Sequence, residues 1–302
     1  MSIIQYETRE DWVAGRGGGL GASEAPAAIG ASPYATPFSL WALKTGLLPQ
    51  EDLAAHKEAV RWGTLLEPAI IQEFGVRTGR EVVPHDQCQM VVHPSLSFLR
   101  ATPDATQFDR QQRDDPGDLQ IKTAGHFVAS DWAFDQTPIH VQVQVQCELA
   151  VTGMQWGTVC CLLAGQKMVW RDVQRDDEFI AALLPALEKF WQHVVDRTAP
   201  DVDDSEVTAR VLAKMHPLDN GETVELPHES VQWALDLDGA NAKIKELEAL
   251  KTHAQNRFRA AIGDATFAVL PDGSKYSYKT QERAAHEVKA SQFRVLRKAS
   301  KK

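Results

Sequence analysis

Two short polar motifs have the composition of a divalent-metal site. One is a Thr-Pro-Asp sequence ending at Asp104, and the other is Gln-Ile-Lys at 120–122, in a segment predicted to be a β-strand. Because side chains alternate along a strand, Gln120 and Lys122 should share one face while Ile121 points into the core. With Asp104 beside them, its carboxylate, the Gln120 amide and the Ile121 backbone carbonyl offer the oxygen ligands that Mg²⁺ prefers.

Phosphodiester cleavage is the chemistry that this combination favours. A lysine next to a bound cation can orient or deprotonate the attacking water, and the cation neutralises charge on the phosphate being cleaved. Each motif alone is also typical of an ordinary turn or an exposed strand, since Pro-Asp pairs and Gln-x-Lys triplets are common. The two motifs by themselves therefore leave a structural role and a nuclease role open.

Other segments of the first two-thirds of the chain carry a resemblance to a known family. They are GLGASE at 19–24, SPYATP at 32–37 with Trp41, RWGTLLEP at 61–68, HP at 93–94 leading to FLRATPD at 98–104, LQIKT at 119–123, and QVQ at 144–146 followed by LAVTG at 149–153. In this order and spacing, over residues 12–195, the chain resembles the phage recombination exonucleases of the lambda-exonuclease/YqaJ type. These are members of the PD-(D/E)XK nuclease superfamily.

The resemblance implies a catalytic role for each matching residue. Glu67 would complete the metal site from a helix, directly or through water, and Asp104 would be the principal ligand. Lys122 would be the catalytic lysine, and Gln144 matches the glutamine that lies near the active site in the family. The implied cofactor is Mg²⁺, with Mn²⁺ able to substitute for it.

The resemblance also implies residues that bind DNA. Arg16 and Ser23 match the region that holds the 5′-terminal phosphate in the family, and Gln146 is a further DNA-binding candidate. Ser23 is independently predicted as the N-cap of a helix over Ser23–Ile29. A helix N-terminus suits a phosphate, so the two predictions for Ser23 agree.

The chain departs from the family pattern at three positions. Gln120 stands where the family usually has an acid, Ala105 where it has a glycine, and Val141 where it often has a tyrosine. An amide oxygen still ligates Mg²⁺ but lacks the negative charge, so metal binding should be weaker by about 1–2 kcal/mol. Natural tolerance of glutamine is the preferred explanation; a glutamate replaced to trap substrate and an inactive site stay open. Asp118, on the same predicted strand face as Gln120, could supply the missing charge.

Strands mixed with helices predict an α/β fold that can position these residues. Predicted helices cover residues 23–29, 37–45, 58–78, 139–151 and 178–195, and predicted strands cover 88–92, 98–102, 119–123, 157–163 and 168–173. The resemblance implies a PD-(D/E)XK (restriction-endonuclease-like) core, a central mixed sheet flanked by helices, over residues 1–198. An acidic linker rich in Pro and Asp is predicted over 199–228, and a long helix, a β-hairpin and a basic tail over 229–302.

Charge and composition limit the class of protein. The 302 residues carry a net charge of −9, which is unusual for a protein that binds DNA phosphates. Residues 200–240 hold ten acids and two bases, whereas the chain from 281 onward holds seven bases and two acids. Any positive surface should therefore be local, for example lining a channel. The four cysteines show neither a disulfide framework nor zinc-site spacing, and the absence of a signal or membrane segment predicts a cytoplasmic protein of a bacterial or phage-infected cell.

The resemblance implies an enzyme, a metal-dependent deoxyribonuclease that digests double-stranded DNA ends 5′→3′ and leaves 3′ overhangs for homologous recombination. Family members are ring-shaped homo-oligomers, so a trimer or tetramer is expected, with a single-strand annealing protein as partner. Two alternatives stay open. One is an endonuclease or nickase with the same site, and the other is a catalytically weak scaffold that binds DNA ends.

Overall fold

The structure is a computed structural model that describes residues 2–48, 57–86, 88–109, 112–133, 136–285, 290 and 292–297. It divides into two compact units, Met1–Pro217 and Leu218–Lys302. None of the helices in the described part of the chain is long and apolar enough to span a bilayer.

The first unit combines helices with two mixed sheets. Its helices are α1 (Arg9–Gly17), α2 (Ala25–Ala28), α3 (Pro37–Lys44), α4 (Lys57–Thr78), α5 (Ile139–Thr152), α6 (Asp177–Val195) and α7 (Glu206–Met215). Its strands are β1 (Ser2–Gln5), β2 (Leu20–Gly21), β3 (Glu81–Pro84), β4 (Gln89–Val92), β5 (Leu99–Ala101), β6 (Ala105–Asp109), β7 (Gln112–Ala124), β8 (Trp156–Leu163) and β9 (Lys167–Gln174). One sheet has the order β1-β4-β5-β2, with β5 and β2 parallel, and the other has the order β3-β6-β7-β8-β9, with β7 and β8 parallel.

The larger sheet is covered by α4 on one face and α5 on the other. Leu119 and Ile121 of β7 point toward α4 and pack with Phe74 of that helix. Residues of the same strand at even positions, including Gln120 and Lys122, face α5. The alternation predicted for this strand is confirmed, because one face is buried under an apolar helix.

Helix α5 lies between the two sheets and is buried along almost its whole length. Val145 and Leu149 pack against the larger sheet, while Val143 and Cys147 join the core that includes the smaller sheet. The helix ends at Gly153, whose φ of 76° is the left-handed conformation that favours glycine. Its sequence alternates valine and glutamine, yet burial on two sides allows a helix because both apolar sets find a partner.

The predicted linker over 199–228 requires a correction. Part of it folds as α7, and Thr208 and Val211 of that helix are buried. The Thr208 hydroxyl lies 2.9 Å from the Thr36 hydroxyl at the start of α3, so α7 is anchored to the core. The first unit therefore continues to Pro217 rather than ending at residue 198. The short amphipathic helix is obscured in the sequence by the acidic residues around it.

The second unit contains α8 (Ser230–Ile262) and the antiparallel pair β10 (Phe267–Val269) and β11 (Lys275–Ser277), so the predicted helix and hairpin are confirmed. The rings of Phe258 and Tyr276 stack with centroids 4.3 Å apart, which joins the helix to the hairpin. Four lysines of the predicted basic tail lie outside the described residues: Lys289, Lys298, Lys301 and Lys302.

Candidate active site

Strand register brings Asp104 to the Gln-Ile-Lys motif. Ala105 of β6 pairs with Leu119 of β7, so Asp104, which precedes β6, lies beside Gln120. The Asp104 Oδ2 atom accepts a hydrogen bond from the backbone N–H of Ile121 at 2.7 Å and a second from the Gln120 side-chain amide. Burial raises the pKa of Asp104, while Lys122 and these hydrogen bonds oppose that rise.

A directional chain of hydrogen bonds connects Lys122 to Asp104. Lys122 Nζ donates to Gln144 Oε1 at 2.9 Å, and Gln144 Nε2 donates to Gln120 Oε1 at 2.9 Å. Gln120 Nε2 then donates to Asp104. An ammonium can only donate and a carboxylate only accepts, so the two ends of this chain determine which way both amides point.

This orientation bears on the predicted role of Gln120 as a metal ligand. Its amide nitrogen, which cannot ligate a cation, is the atom directed at Asp104, and its oxygen faces Gln144 on α5. Presenting the oxygen beside Asp104 would require both amides to rotate and Lys122 to lose its acceptor. In this arrangement Gln120 holds the Asp104 carboxylate in place.

Two buried acids lie behind these amides. Asp118 is fully buried on β7, and Glu148 on α5 is 1% exposed. Glu148 Oε1 accepts from Gln144 Nε2 at 2.9 Å, whereas Glu148 Oε2 and both Asp118 oxygens meet no N–H or hydroxyl donor. The two carboxyl groups contact each other, and two like charges this close in a buried site favour protonation of at least one of them.

Desolvation dominates the ionisation of this acid pair. Burial raises the pKa of Glu148 to about 7, and burial next to Glu148 raises the pKa of Asp118 well above its ordinary value. Burial and the neighbouring acid thus both favour the neutral form of Asp118.

The donor set fits a hard divalent cation in chemistry, since it consists of oxygens. Asp104, the Ile121 carbonyl and Glu148 are joined in the same pocket by Glu67 of α4. Across the described ranges, no three His, Cys, Asp or Glu side chains are gathered in metal-binding geometry. Position 120 accounts for part of this, because an amide replaces one carboxylate of the pattern.

The predicted phosphate-binding residues lie in the same pocket as Asp104. Arg16 Nη2 donates to Ser23 Oγ at 3.1 Å, and the Arg16 guanidinium stacks on Trp12, 4.9 Å from its ring centre. Lys44 of α3 fixes the segment over residues 19–24, which includes Ser23. It donates to the Gly19 carbonyl at 2.7 Å and forms a buried ion pair with Glu24 at 2.8 Å. The tertiary structure thus unites the two sets of residues that the resemblance assigned separately.

Two details of the predicted DNA-binding residues are corrected. Ser23 is not a helix N-cap, because the turn over Ala22–Glu24 begins after Gly21, whose backbone N–H is capped by Glu24 at 2.8 Å. Gln146 is not brought to the pocket. Its buried amide donates to the backbone carbonyl of Gln174 at 2.7 Å and accepts from the backbone N–H of Asp176 at 2.9 Å, so it ties α5 to the end of β9.

Glu148 is the site residue that the sequence motifs did not identify. Two signals were available: it is the single acid in an otherwise uncharged helical segment, and it follows Gln144 by four residues. Residues four apart share a helix face, so the face that carries Gln144 into the site carries Glu148 as well.

The sheet order, with Asp104 and the Gln-x-Lys motif on paired strands beneath a helix-borne acid, defines a nuclease fold of the PD-(D/E)XK class. An alkaline exonuclease from Laribacter hongkongensis has this fold: the two structures superpose with a TM-score of 0.51 at 21% identity, over 62% of this chain and 93% of that one. The structure of that exonuclease in complex with dAMP gives a TM-score of 0.50 at 20% identity with the same coverage. The predicted fold class is confirmed.

Residues 11–155 match the family model described as a YqaJ-like viral recombinase domain. The YqaJ protein of Bacillus subtilis (strain 168) is 28% identical over 270 residues, which cover 87% of this chain and 81% of that protein. Residues 11–155 are thus similar to the YqaJ-like viral recombinase domain, and the resemblance read from the sequence motifs is confirmed.

Proposed function

We propose that this chain is a divalent-metal-dependent DNA exonuclease that acts on double-stranded ends. The observation that carries the proposal is the pocket in which Asp104 and the Lys122–Gln144 pair lie together with the Arg16–Ser23 pair. The first set suits hydrolysis of a phosphodiester, and the second suits a terminal phosphate. The alkaline exonuclease with the same fold supports DNA as the substrate.

Asp104, the Ile121 carbonyl and Glu67 would hold Mg²⁺, with Mn²⁺ as a substitute. The cation would supply charge neutralisation at the scissile phosphate and acidify a water molecule. Gln120 and the Ile121 N–H hold the Asp104 carboxylate in a fixed orientation. Lys122 uses one donor on Gln144, and its remaining donors can orient the attacking water or stabilise the phosphate.

The 5′→3′ polarity with a 3′ overhang is the proposed direction of digestion. Arg16 and Ser23 offer a guanidinium and a hydroxyl 3.1 Å apart at the pocket, which suits a 5′-terminal phosphate. If that phosphate is held there, the phosphodiester presented to Asp104 and Lys122 belongs to the 5′-ended strand. Removal of nucleotides from that strand leaves the 3′-ended strand as a single-stranded overhang.

The recombination role extends to partners. A single-strand annealing protein that loads on the 3′ overhang is the proposed partner, and a ring-shaped trimer or tetramer threaded by DNA is the proposed assembly. An oligomer with an inward-facing active site would also reconcile DNA binding with the net charge of −9. These proposals rest on the family resemblance.

A second candidate, a catalytically weak scaffold that binds DNA ends, is favoured by one observation. Gln120 replaces the acid of the family pattern and points its amide nitrogen at Asp104. If the wild-type chain binds duplex ends without digesting them and Gln120→Glu digests them, the scaffold is the correct function. Cleavage of circular duplex would instead favour the endonuclease or nickase.

Digestion of linear duplex labelled at either end tests the proposal. We expect Mg²⁺-dependent release of the 5′ label, faster from a 5′-phosphate than from a 5′-hydroxyl, and no release with chelator. Asp104→Asn should slow release by at least about a hundredfold, because the principal ligand loses its charge. Glu188→Gln, an exposed change on α6, is the matched control. Unchanged digestion by folded Asp104→Asn would refute the metal-site assignment.

A further inference from the structure

The proposed mechanism leaves one carboxylate of the pocket without a task. Glu148 lines the pocket from α5 although it is 1% exposed, and apart from Gln144 its side-chain neighbour is a second buried acid, Asp118. A carboxyl group buried against another acid destabilises a fold when it ionises, so a protein rarely keeps one without a use. The same fold lacks a negative charge at position 120, where the family pattern has an acid.

A single amide group, that of Gln144, lies between position 120, which lacks the family's negative charge, and Glu148, whose carboxylate has no role in the proposed mechanism. Gln144 Nε2 donates both to Gln120 Oε1 and to Glu148 Oε1, each at 2.9 Å. Glu148 Oε1 on α5 and Gln120 Oε1 on β7 therefore both accept from one nitrogen atom. A carboxylate at 148 thus lies next to the position that an acid at 120 would occupy.

We propose that Glu148 supplies the carboxylate that the cation site lacks at position 120. This inference rests on the proposed function, since it assigns a further member of the same site. Asp118, which strand alternation had suggested for this task, lies deeper and is fully buried. Asp118 contacts Glu148, and of these two acids Glu148 is the one that lines the pocket.

Glu148 also explains how the chain accommodates glutamine at 120. The amide of Gln144 needs two acceptors for its two N–H groups, and Gln120 Oε1 and Glu148 Oε1 provide them. An acid at position 120 would place a carboxylate close to both Glu148 and Asp104, where like charges repel. The site therefore holds one carboxylate and one amide at positions 120 and 148. Exchanging the two side chains should leave the charge of the site unchanged.

Calorimetric titration of the full chain with Mn²⁺, without DNA, tests the charge exchange. The binding component that disappears in Asp104→Asn defines the site. Glu148→Gln should weaken Mn²⁺ affinity at that site by about tenfold or more, as expected for loss of one charged contact. The exchanged variant, Gln120→Glu with Glu148→Gln, should recover affinity to within a few-fold of the wild type. A purely structural Glu148 would not be rescued by a carboxylate on another element.

The outcomes separate the inference from the proposed function. If Asp104→Asn loses Mn²⁺ binding while Glu148→Gln binds as tightly as the wild type, the role of Glu148 is refuted and the metal site stands. If Asp104→Asn still binds Mn²⁺ at every component, the proposed function itself fails. Should Glu148→Gln alone not fold, the exchanged variant decides: wild-type affinity supports the inference, and a folded variant without affinity overturns it. Glu188→Gln again controls for loss of a surface charge.

Discussion

At the scale of single residues, ionisation of the acid pair formed by Asp118 and Glu148 lowers the stability of the folded state. A carboxyl group that is buried beside a second acid is held neutral over a wider pH range than an exposed one. The ordinary pKa of a glutamate is 4.5, whereas burial raises that of Glu148 to about 7. An acid with a raised pKa in the folded state binds more protons when folded, so stability falls as the pH rises from 4.5 through about 7.

Glu148→Gln should therefore stabilise the chain in alkaline solution without metal. At pH 8 we expect the free energy of unfolding to exceed that of the wild type by about 1–3 kcal/mol, because a neutral amide replaces a desolvated charge. The difference should shrink as the pH is lowered toward 5, where the glutamate is protonated. Urea unfolding at several pH values measures it, and a variant less stable than the wild type at pH 8 would contradict the desolvation argument.

At the scale of elements, the segment between α1 and β2 must hold Arg16 and Ser23 against the pocket. Arg100 of β5 fixes it from one side by donating to the carbonyls of Gly15 at 2.6 Å and Gly18 at 3.1 Å. Gly19 allows the close approach: a Cβ atom there would lie 2.6 Å from the Phe98 carbonyl oxygen. The glycines in this segment permit contact with β5, and no phosphate-loop role is needed to explain them.

Gly19→Ala should separate the segment from β5. Because a backbone carbonyl cannot move aside as a side chain can, we expect a loss of about 1–3 kcal/mol in stability and weaker preference for 5′-phosphorylated ends. Gly17→Ala is the matched control, since a Cβ atom there meets nothing within 4 Å. The control should be neutral or stabilise by about 0.5 kcal/mol. Equal behaviour of the two variants in thermal unfolding would refute this account.

At the scale of the whole molecule, the buried residues that the structure describes all lie in the first unit. Within the described part of 218–302, no residue is buried, whereas Met1–Pro217 contains the apolar clusters around both sheets. The boundary matters because α7 belongs to this core through Thr208 and Val211. Folding of the nuclease unit should therefore depend on α7 and not on α8.

Two truncations test this boundary. A chain ending at Pro217 should unfold cooperatively at the temperature of the first unit in the full chain. A chain ending at Thr198 lacks α7 and exposes the face of α3 that packs on it. It should therefore lose about 2 kcal/mol of stability, which lowers the midpoint by about 4–8 °C. Circular dichroism measures both midpoints. Equal midpoints would show that α7 adds nothing to the core.

Much of the local structure was readable from the sequence because its causes are local. The alternation of Gln120, Ile121 and Lys122 follows from strand geometry, and the predicted helices over 58–78 and 178–195 follow from apolar spacing and helix length. The missed elements are short: strands β1, β2, β3 and β6 have two to five residues, α1 has nine and α7 has ten. Helix α7 is also surrounded by acids, and the turn over Ala22–Glu24 begins one residue earlier than the predicted cap at Ser23.

The sequence by itself determined helices α4, α5 and α6, the family motifs and the face of β7 that carries the polar pair. Only the tertiary structure decided that Asp104 meets Gln120 through the pairing of Ala105 with Leu119, and that Glu148 joins them from α5. The physical reason is the range of the interactions. Helix and strand periodicity depend on neighbours in the chain, whereas register and helix packing depend on contacts between distant residues, whose distances no local pattern contains.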